Sequence, residues 1–362
     1  MLFYLFMTDE YYIKRAIRLA AKAQGMTSPN PMVGAIIVKN GDIISEDFHR
    51  RPGTPHAEVL AIEKAGYNAN GSKLFVSLEP CCHTEKRTPP CTKIIINAGI
   101  KEVVIGMRDP NPKVSGRGIL ELQKEGISVK SGVLEEDAKR LNESYIKYIT
   151  TQKPFVTLKI AMTLDGKIAT PEGQSKWITG EKARRMVHRQ RSHVDAIMTA
   201  IGTVKADDPQ LTKRVTGGRN PQRIVIDPYL EIPLNAKILK IPPETIIVTK
   251  VDNSKASYLE KSGAKIIYFK EKIDLNLLME KLGKMEITSV IIEGGSSLNA
   301  HVLEDGIVDK IMFFISPKII GGKDSFPSVG GKSYRKLEEA YKISALKIKR
   351  IGEDILVEGY IK

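Results

Sequence analysis

Residues 56–58, His56-Ala57-Glu58, and residues 78–91, LEPCCHTEKRTPPC, decide how the first part of this chain folds and what it can hold. The first segment sits just ahead of a helical pattern. The second presents cysteines at the end of one buried strand and the start of the next helix. Histidine with two thiolates suits zinc, which in a catalytic site takes three protein ligands and leaves a fourth position open for water. Such zinc lowers the pKa of its water toward neutrality, and a nearby carboxylate that is not a ligand can take the water proton and deliver it to departing ammonia.

Glu58, two residues beyond His56, has the place of that carboxylate in the zinc deaminase signature, a His-x-Glu followed later by Pro-Cys. His56 and Cys91 are two of the expected ligands. The third is one of two adjacent cysteines: Cys81, which directly follows Pro80 and is preferred, or Cys82. The plainer alternative is a structural zinc, or buried cysteines beside a helix-capping acid. The spacing of Glu58 favours the catalytic reading.

Outward from this window, 362 residues with 42% hydrophobic and 27% charged side chains are too many for one ordinary domain and too apolar for disorder. Lysine and arginine outnumber the acids, leaving a formal charge of +14. The charge is dispersed rather than gathered into a basic arm, which favours a small phosphorylated substrate over nucleic acid. The three cysteines all fall in one short window, which is wrong for a disulfide framework and suits metal binding in a reducing, cytoplasmic compartment. The opening MLFYLFM is too short to span a bilayer and lacks a preceding basic region, so neither a signal peptide nor a membrane partner is expected. Met7 is an alternative start to Met1.

VGAIIV and DIISEDF read as a strand pair around the hairpin-forming Asn40-Gly41. After His56, a helix, the strand KLFVSL, a helix from Cys91, the strand EVVIGM and the helix GILELQKEG alternate, which implies an α/β sandwich. A helix-like EEDAKRLNESYIKYITTQ gives way at Lys153-Pro154 to the strand FVTLKIAMT, placing a boundary near residue 150 and domains at 1–150 and 151–362. The second part is again α/β: a helix from Glu181, strands DAIMTAI, RIVID, TIIVT and KIIYF, a helix from Asp274, SVIIEGG, a helix from Ser297 and IMFFIS. Neither domain has a Gly-x-Gly-x-x-Gly after its first strand, which argues against a Rossmann domain. Gly294, Gly295, Ser296 and Ser297 lie between a buried strand and a helix, where backbone donors can cradle phosphate or simply make a tight turn.

SPNPMVGAIIV, HAE, LEPCCH, RTPPC and RDPNPKVSGRG together resemble the deaminase half of the bacterial bifunctional riboflavin-biosynthesis enzymes, the diaminohydroxyphosphoribosylaminopyrimidine deaminase and reductase family. The loop between the ligand cysteines is one residue longer here than is usual in that family. FVTLKIAMTLDGKIA, SKWITG, EKARRMVHRQR, AIGTVKADDPQLT and the EGG loop resemble its reductase half. The resemblance implies an N-terminal cytidine-deaminase-like three-layer sandwich and a C-terminal dihydrofolate-reductase-like domain. It implies hydrolytic deamination of 2,5-diamino-6-(5-phosphoribosylamino)pyrimidin-4-one, then NADPH-dependent reduction of the product's ribosyl group to ribityl. The choice of NADPH over NADH rests on this resemblance.

Carried over by motif, Asn30, His49, Arg87, Asp109 and Asn111 are expected to hold the pyrimidine and its ribose phosphate, although Asn30 and the Asp109-Pro110-Asn111-Pro112 run are also strong turn chemistry. Ala161, Trp177, Thr203, Asp207 and the loop Gly295, Ser296, Ser297 resemble cofactor contacts; Ser175, Arg191, Leu211, Arg214 and Glu293 resemble substrate contacts. Lys159 lies on a strand that would line the cleft, and Asp165 reads as a structural turn residue. Competing readings are a nucleic-acid-editing deaminase with a basic binding module, and an idle deaminase scaffold with structural zinc; the intact Glu58 argues against the second. The sequence leaves a homo-oligomer open.

Overall fold

The computed structural model describes residues 8–83, 89–332 and 336–362, and the chain divides into two compact units, Met1–Gln152 and Lys153–Lys362. The start-site question at Met1 and Met7, and Arg87, lie outside the described residues.

The first unit runs α1 (Asp9–Ala20), β1 (Gly34–Lys39), β2 (Asp42–Phe48), α2 (Ala57–Ala65), β3 (Lys73–Leu78), α3 (Cys91–Asn97), β4 (Glu102–Met107), α4 (Arg117–Lys124), β5 (Ser128–Ser131), α5 (Glu135–Leu141) and α6 (Glu143–Thr151). Its sheet has the order β2-β1-β3-β4-β5, antiparallel across β2, β1 and β3 and parallel across β3, β4 and β5. Alternation along the strands builds two apolar layers. Ile36, Val38, Phe75 and Val104 pack against Tyr12, Ile13, Ala16 and Leu19 of α1. Ala35, Ile37, Leu74, Val76, Val103 and Ile105 pack against Ala57 and Ala61 of α2, Ile95 of α3 and Leu122 of α4. The result is the expected three-layer sandwich.

The β1–β2 hairpin turns at Asn40 (φ 54°) and Gly41 (φ 90°), the left-handed pair that an Asn-Gly step adopts readily. The single helix expected over residues 135–152 is instead two, because Asn142 leaves the helical path to clasp Met32: its Oδ1 accepts from the Met32 N–H (2.8 Å) and its Nδ2 donates to the Met32 carbonyl (3.0 Å). A side chain that satisfies a distant backbone pair in this way competes with helix continuation.

The second unit comprises β6 (Phe155–Thr163), β7 (Lys167–Ala169), α7 (Glu181–Arg191), β8 (Ala196–Ala200), α8 (Ile201–Asp207), β9 (Gln222–Ile226), β10 (Thr245–Thr249), α9 (Ser254–Lys261), β11 (Lys265–Tyr268), α10 (Leu275–Lys284), β12 (Ser289–Ile292), α11 (Ser296–Glu304), β13 (Lys310–Ser316), β14 (Phe326–Pro327), β15 (Ile343–Ile351) and β16 (Asp354–Ile361). A nine-stranded sheet has the order β11-β10-β9-β8-β12-β6-β13-β16-β15, parallel from β11 through β13 and antiparallel at the β13-β16-β15 edge. Its central strands are apolar on both faces, as a sheet covered by helices requires. The strand read over 195–201 ends at Ala200, and Ile201 already opens α8. Helix α9 and the β15–β16 hairpin were not read from the sequence: α9 is short, and β15 is largely exposed, so neither carries a strong apolar period.

In the first unit, β3 and β4 are parallel, so their C-terminal ends share one edge of the sheet, where open α/β folds place ligands. The loop leaving β3 lies directly on α4: a Cβ built on Gly118 would sit 2.2 Å from the Pro80 carbonyl oxygen and 3.3 Å from Glu79 Oε1. Gly118→Ala should therefore cost about 1–3 kcal/mol through overpacking and lower zinc content together with the thermal midpoint of the N-terminal unit. Wild-type zinc and midpoint would show that this contact does not constrain the loop.

Candidate functional site

Three chain segments meet at the C-terminal edge of β3 and β4. His56 is the N-cap of α2, Cys91 is the first residue of α3, and Cys81 follows β3 through Glu79-Pro80. His56 Nδ1 lies 3.2 Å from Cys91 Sγ and 3.5 Å from Cys81 Sγ, and all three donor atoms fall within 4.8 Å of one another. Cys82 points elsewhere: its Sγ is 3.9 Å from the Lys113 carbonyl, and burial pushes its thiol up. One imidazole and two thiol sulfurs, two of the three residues buried, form a soft, compact donor set that fits zinc with an open position.

Glu58, in the first turn of α2, is 3% exposed. Its Oε2 is buried without a hydrogen-bond partner, and burial pushes its carboxyl above the ordinary range, opposed by the neighbouring His56. A buried acid with an uncommitted oxygen beside a metal-type donor set is suited to carry a proton.

The substrate-side candidates surround this cluster. The buried His49 ring stands 5.3 Å from the His56 ring, edge to face; its Nδ1 lies 3.2 Å from the Pro55 carbonyl and its Nε2 3.4 Å from Asn30 Nδ2. Burial holds the His49 imidazole below its ordinary pKa, opposed by the Pro55 contact and helped by the His56 charge. Asp109 is buried just beyond β4, and burial pushes its carboxyl up to about 6. Its Oδ1 accepts from the Asn111 N–H and from the Tyr145 hydroxyl, each at 2.9 Å, while Asn111 Oδ1 accepts from the Lys113 N–H at 3.0 Å. Asn30, His49, His56 and Glu58 thus gather around the donor set, and Asp109 and Asn111 form the turn after the adjacent strand.

Two residues here escaped the sequence reading. Glu79 is 3% exposed, and its carboxylate accepts three backbone N–H groups of the 109–119 segment: Asp109 (3.2 Å), Gly116 (3.0 Å) and Ile119 (3.3 Å). Tyr145, from α6, supplies the hydroxyl on Asp109. An acid directly after an apolar strand was the available signal for Glu79; nothing local marked Tyr145.

In the second unit the candidates fall at the C-terminal ends of β6, β8 and β12. Glu293, just after β12, is 8% exposed in its side chain and is held by two cations. Arg191 of α7 donates Nε to Oε1 (2.7 Å) and Nη2 to Oε2 (2.9 Å), and Lys159 of β6 donates to Oε2 (3.2 Å). Burial would raise the Glu293 carboxyl, but Arg191 and Lys159 together outweigh it and hold the group well below the carboxylate range. Arg191 Nη1 also donates to the Thr212 carbonyl (3.2 Å), beside the buried Leu211. Leu211 and Arg214 both have positive φ (49° and 46°), and Arg214 is exposed.

Ala161 lies in β6 opposite Phe314 of β13. Gly295 approaches α8 so closely that a Cβ built on it would be 3.7 Å from Thr203 Oγ1. Ser296 opens α11 with a buried, unpartnered Oγ, and Ser297 follows it. The helix thus begins at Ser296, one residue before the expected start. A bare glycine, an orphaned hydroxyl and unpaired N–H groups at the start of a nine-residue helix fit the phosphates of a dinucleotide. Trp177 is exposed, with the Arg184 guanidinium 4.6 Å from its ring centre, and Lys176 pairs with Asp207 at 3.0 Å, which ties the loop carrying Ser175 and Trp177 to the end of α8.

Residues 7–107 match the family model for the cytidine and deoxycytidylate deaminase zinc-binding region, and residues 154–357 match that for the RibD C-terminal domain. The riboflavin biosynthesis protein RibD of Aquifex aeolicus is 44% identical over 351 residues, covering 96% of this chain and 97% of the relative. That of Escherichia coli is 38% identical over 366 residues, covering 96% and 98%. Among solved structures, Acinetobacter baumannii RibD superposes with a TM-score of 0.90 at 34% identity, covering 98% of this chain and 99% of that one. The diaminohydroxyphosphoribosylaminopyrimidine deaminase/5-amino-6-(5-phosphoribosylamino)uracil reductase of Thermotoga maritima does so at 0.88 and 38%, with the same coverage. With similarity running through both units at once, the chain belongs to the RibD family of bifunctional riboflavin-biosynthesis enzymes, a zinc-dependent deaminase joined to an NADPH-dependent reductase.

Proposed function

We propose that residues 1–150 deaminate 2,5-diamino-6-(5-phosphoribosylamino)pyrimidin-4-one and that residues 151–362 reduce the ribosyl group of the product to ribityl. The observation that carries this reading is Glu58: a buried carboxylate with an unpartnered oxygen, two residues along from one member of a His-Cys-Cys donor set.

His56, Cys81 and Cys91 hold the zinc, which supplies a Lewis acid that acidifies water at its open position. Glu58 takes a proton from that water and passes it to the departing amino group, so that water and the ring C–NH2 become C=O and ammonia. Asn30, His49, Asp109 and Asn111 bind the ring and sugar, and Arg87 the phosphate. In the second domain, Gly295, Ser296 and Ser297 with Ala161, Trp177, Thr203 and Asp207 bind NADPH, which supplies a hydride to the anomeric carbon of the opened, imine-like sugar. Ser175, Arg191, Leu211, Arg214 and Glu293 form the substrate side. Arg191 serves there through its pairing with Glu293, which fixes the guanidinium and leaves the pair close to neutral.

No helix among the described residues is long and apolar enough to cross a membrane. We read the protein as a cytoplasmic enzyme of small phosphorylated substrates that does not use nucleic acid. Salt-sensitive RNA or DNA binding would overturn the last point.

Offering the diaminopyrimidinone ribose phosphate with and without NADPH, and identifying products by mass, tests the whole assignment: ammonia release without NADPH, and a product two hydrogens heavier with it. Glu58→Gln should keep its zinc and lose deamination by about 100-fold or more, yet still oxidise NADPH when given deaminated substrate; retained deamination would remove Glu58 from the proton path. Cys81→Ser should lose zinc where Cys82→Ser keeps it, read by metal analysis. Arg191→Ala leaves Glu293 buried with one cation instead of two; it should lower stability by about 3–5 kcal/mol and abolish NADPH oxidation, while ammonia release continues at a temperature where the first unit is folded.

A further inference from the structure

Asp109 is fixed from two sides by residues that touch neither the donor set nor the surface. Its side chain is held by Tyr145, which lies 36 positions along on α6, is 8% exposed, and donates its hydroxyl to Oδ1 at 2.9 Å. Its backbone is held by Glu79, whose Oε2 accepts the Asp109 N–H at 3.2 Å and also ties down Gly116 of the same loop at 3.0 Å. Both donors to the Asp109 carboxylate, the Tyr145 hydroxyl and the Asn111 N–H, converge on Oδ1. Among the described residues no hydrogen bond reaches Oδ2.

Two donors on one oxygen fix both the position and the plane of a carboxylate, which leaves the other oxygen as an acceptor with a set direction. An aminopyrimidine presents amino and ring N–H donors in one plane, and a single acceptor of fixed direction recognises such an edge. A freely rotating carboxylate would have to be ordered on binding, and that ordering would weaken affinity.

We propose that Tyr145 is a positioning residue of the deaminase site: it orients Asp109 so that Oδ2 accepts from the pyrimidine edge, with Glu79 holding the backbone of the same loop. The proposal rests on the reading of Asp109 as a substrate contact, and it deepens that reading by naming what sets the carboxylate's direction. Tyr145 touches no reacting atom, so its effect falls on binding and not on proton transfer through Glu58.

The test uses full-length, zinc-loaded protein, with ammonia release from the diaminopyrimidinone ribose phosphate followed at varied substrate concentration. Tyr145→Phe keeps the ring and removes the hydroxyl. It should raise KM roughly tenfold, the loss of one hydrogen bond to a charged acceptor, with kcat within about twofold and zinc content unchanged, as expected where only uniform binding is lost. Asp109→Asn should raise KM by at least as much, and adding Tyr145→Phe to it should raise KM no further.

Wild-type KM in Tyr145→Phe, alongside a raised KM in Asp109→Asn, overturns the positioning role and leaves the Asp109 contact standing. Wild-type KM in Asp109→Asn overturns the contact itself. Should Tyr145→Phe also soften the fold, the double variant still decides: KM effects that multiply mean that Tyr145 acts independently of Asp109 and the proposal fails.

Discussion

Three donor atoms from positions 56, 81 and 91 have to converge within 4.8 Å, and most of the N-terminal unit can be understood as the apparatus that makes them do so. A metal of this class tolerates little error in donor placement, so each ligand sits where the backbone is least free. His56 caps a helix, Cys91 begins another, and Cys81 follows a fully buried strand by three residues. The parallel pairing of β3 with β4 brings the second strand's outgoing loop to the same edge. Glu79 then locks the two loops together, its single carboxylate satisfying three backbone donors that would otherwise be stranded in the interior. The closeness of Pro80 to Gly118 follows from that lock, since no side chain fits between them.

The same geometry explains which parts of the site a sequence can reveal. His56, Glu58 and Cys91 are legible because their chemistry depends on types and short spacings, and a helix start converts spacing into direction. The adjacent Cys81 and Cys82 cannot be told apart by type; they differ in the structure because an extended segment sends successive side chains to opposite sides, one to His56 and one to the Lys113 carbonyl. Tyr145 and Asn142 were illegible for a different reason. Their partners, Asp109 and Met32, lie 36 and 110 positions away, and nothing in a local pattern encodes so distant a hydrogen bond. Asn142 even misled the reading of its own segment, since the helical period continues through it while the backbone does not.

The second unit was legible in its alternating strands and helices and obscure at its edge. Buried parallel strands advertise themselves as short β-branched runs, whereas β15 carries lysine and arginine on an exposed edge, as edge strands do to avoid pairing with other chains. The absence of a dinucleotide fingerprint was informative too. The structure offers a different phosphate cradle, with a glycine pressed near Thr203 and a helix opening at Ser296.

Burial alone does not determine what a carboxylate does, and the two units illustrate the alternatives with nearly equal burial. Glu58 is enclosed with one imidazole nearby and an oxygen that finds no partner, so enclosure dominates and its carboxyl is pushed toward holding a proton. Glu293 is enclosed with Arg191 and Lys159, so the cations dominate and it stays ionised. An acid that must gain and lose a proton within a turnover cannot be surrounded by fixed cations, because they would make its protonation prohibitively costly. An acid that must anchor a buried arginine cannot be without them, because an unpaired charge in that interior would be destabilising. Asp109 lies between these limits, raised by burial but given a hydroxyl and an N–H that favour its charged form. That intermediate balance suits a group that binds by accepting hydrogen bonds and neither shuttles protons nor anchors a cation.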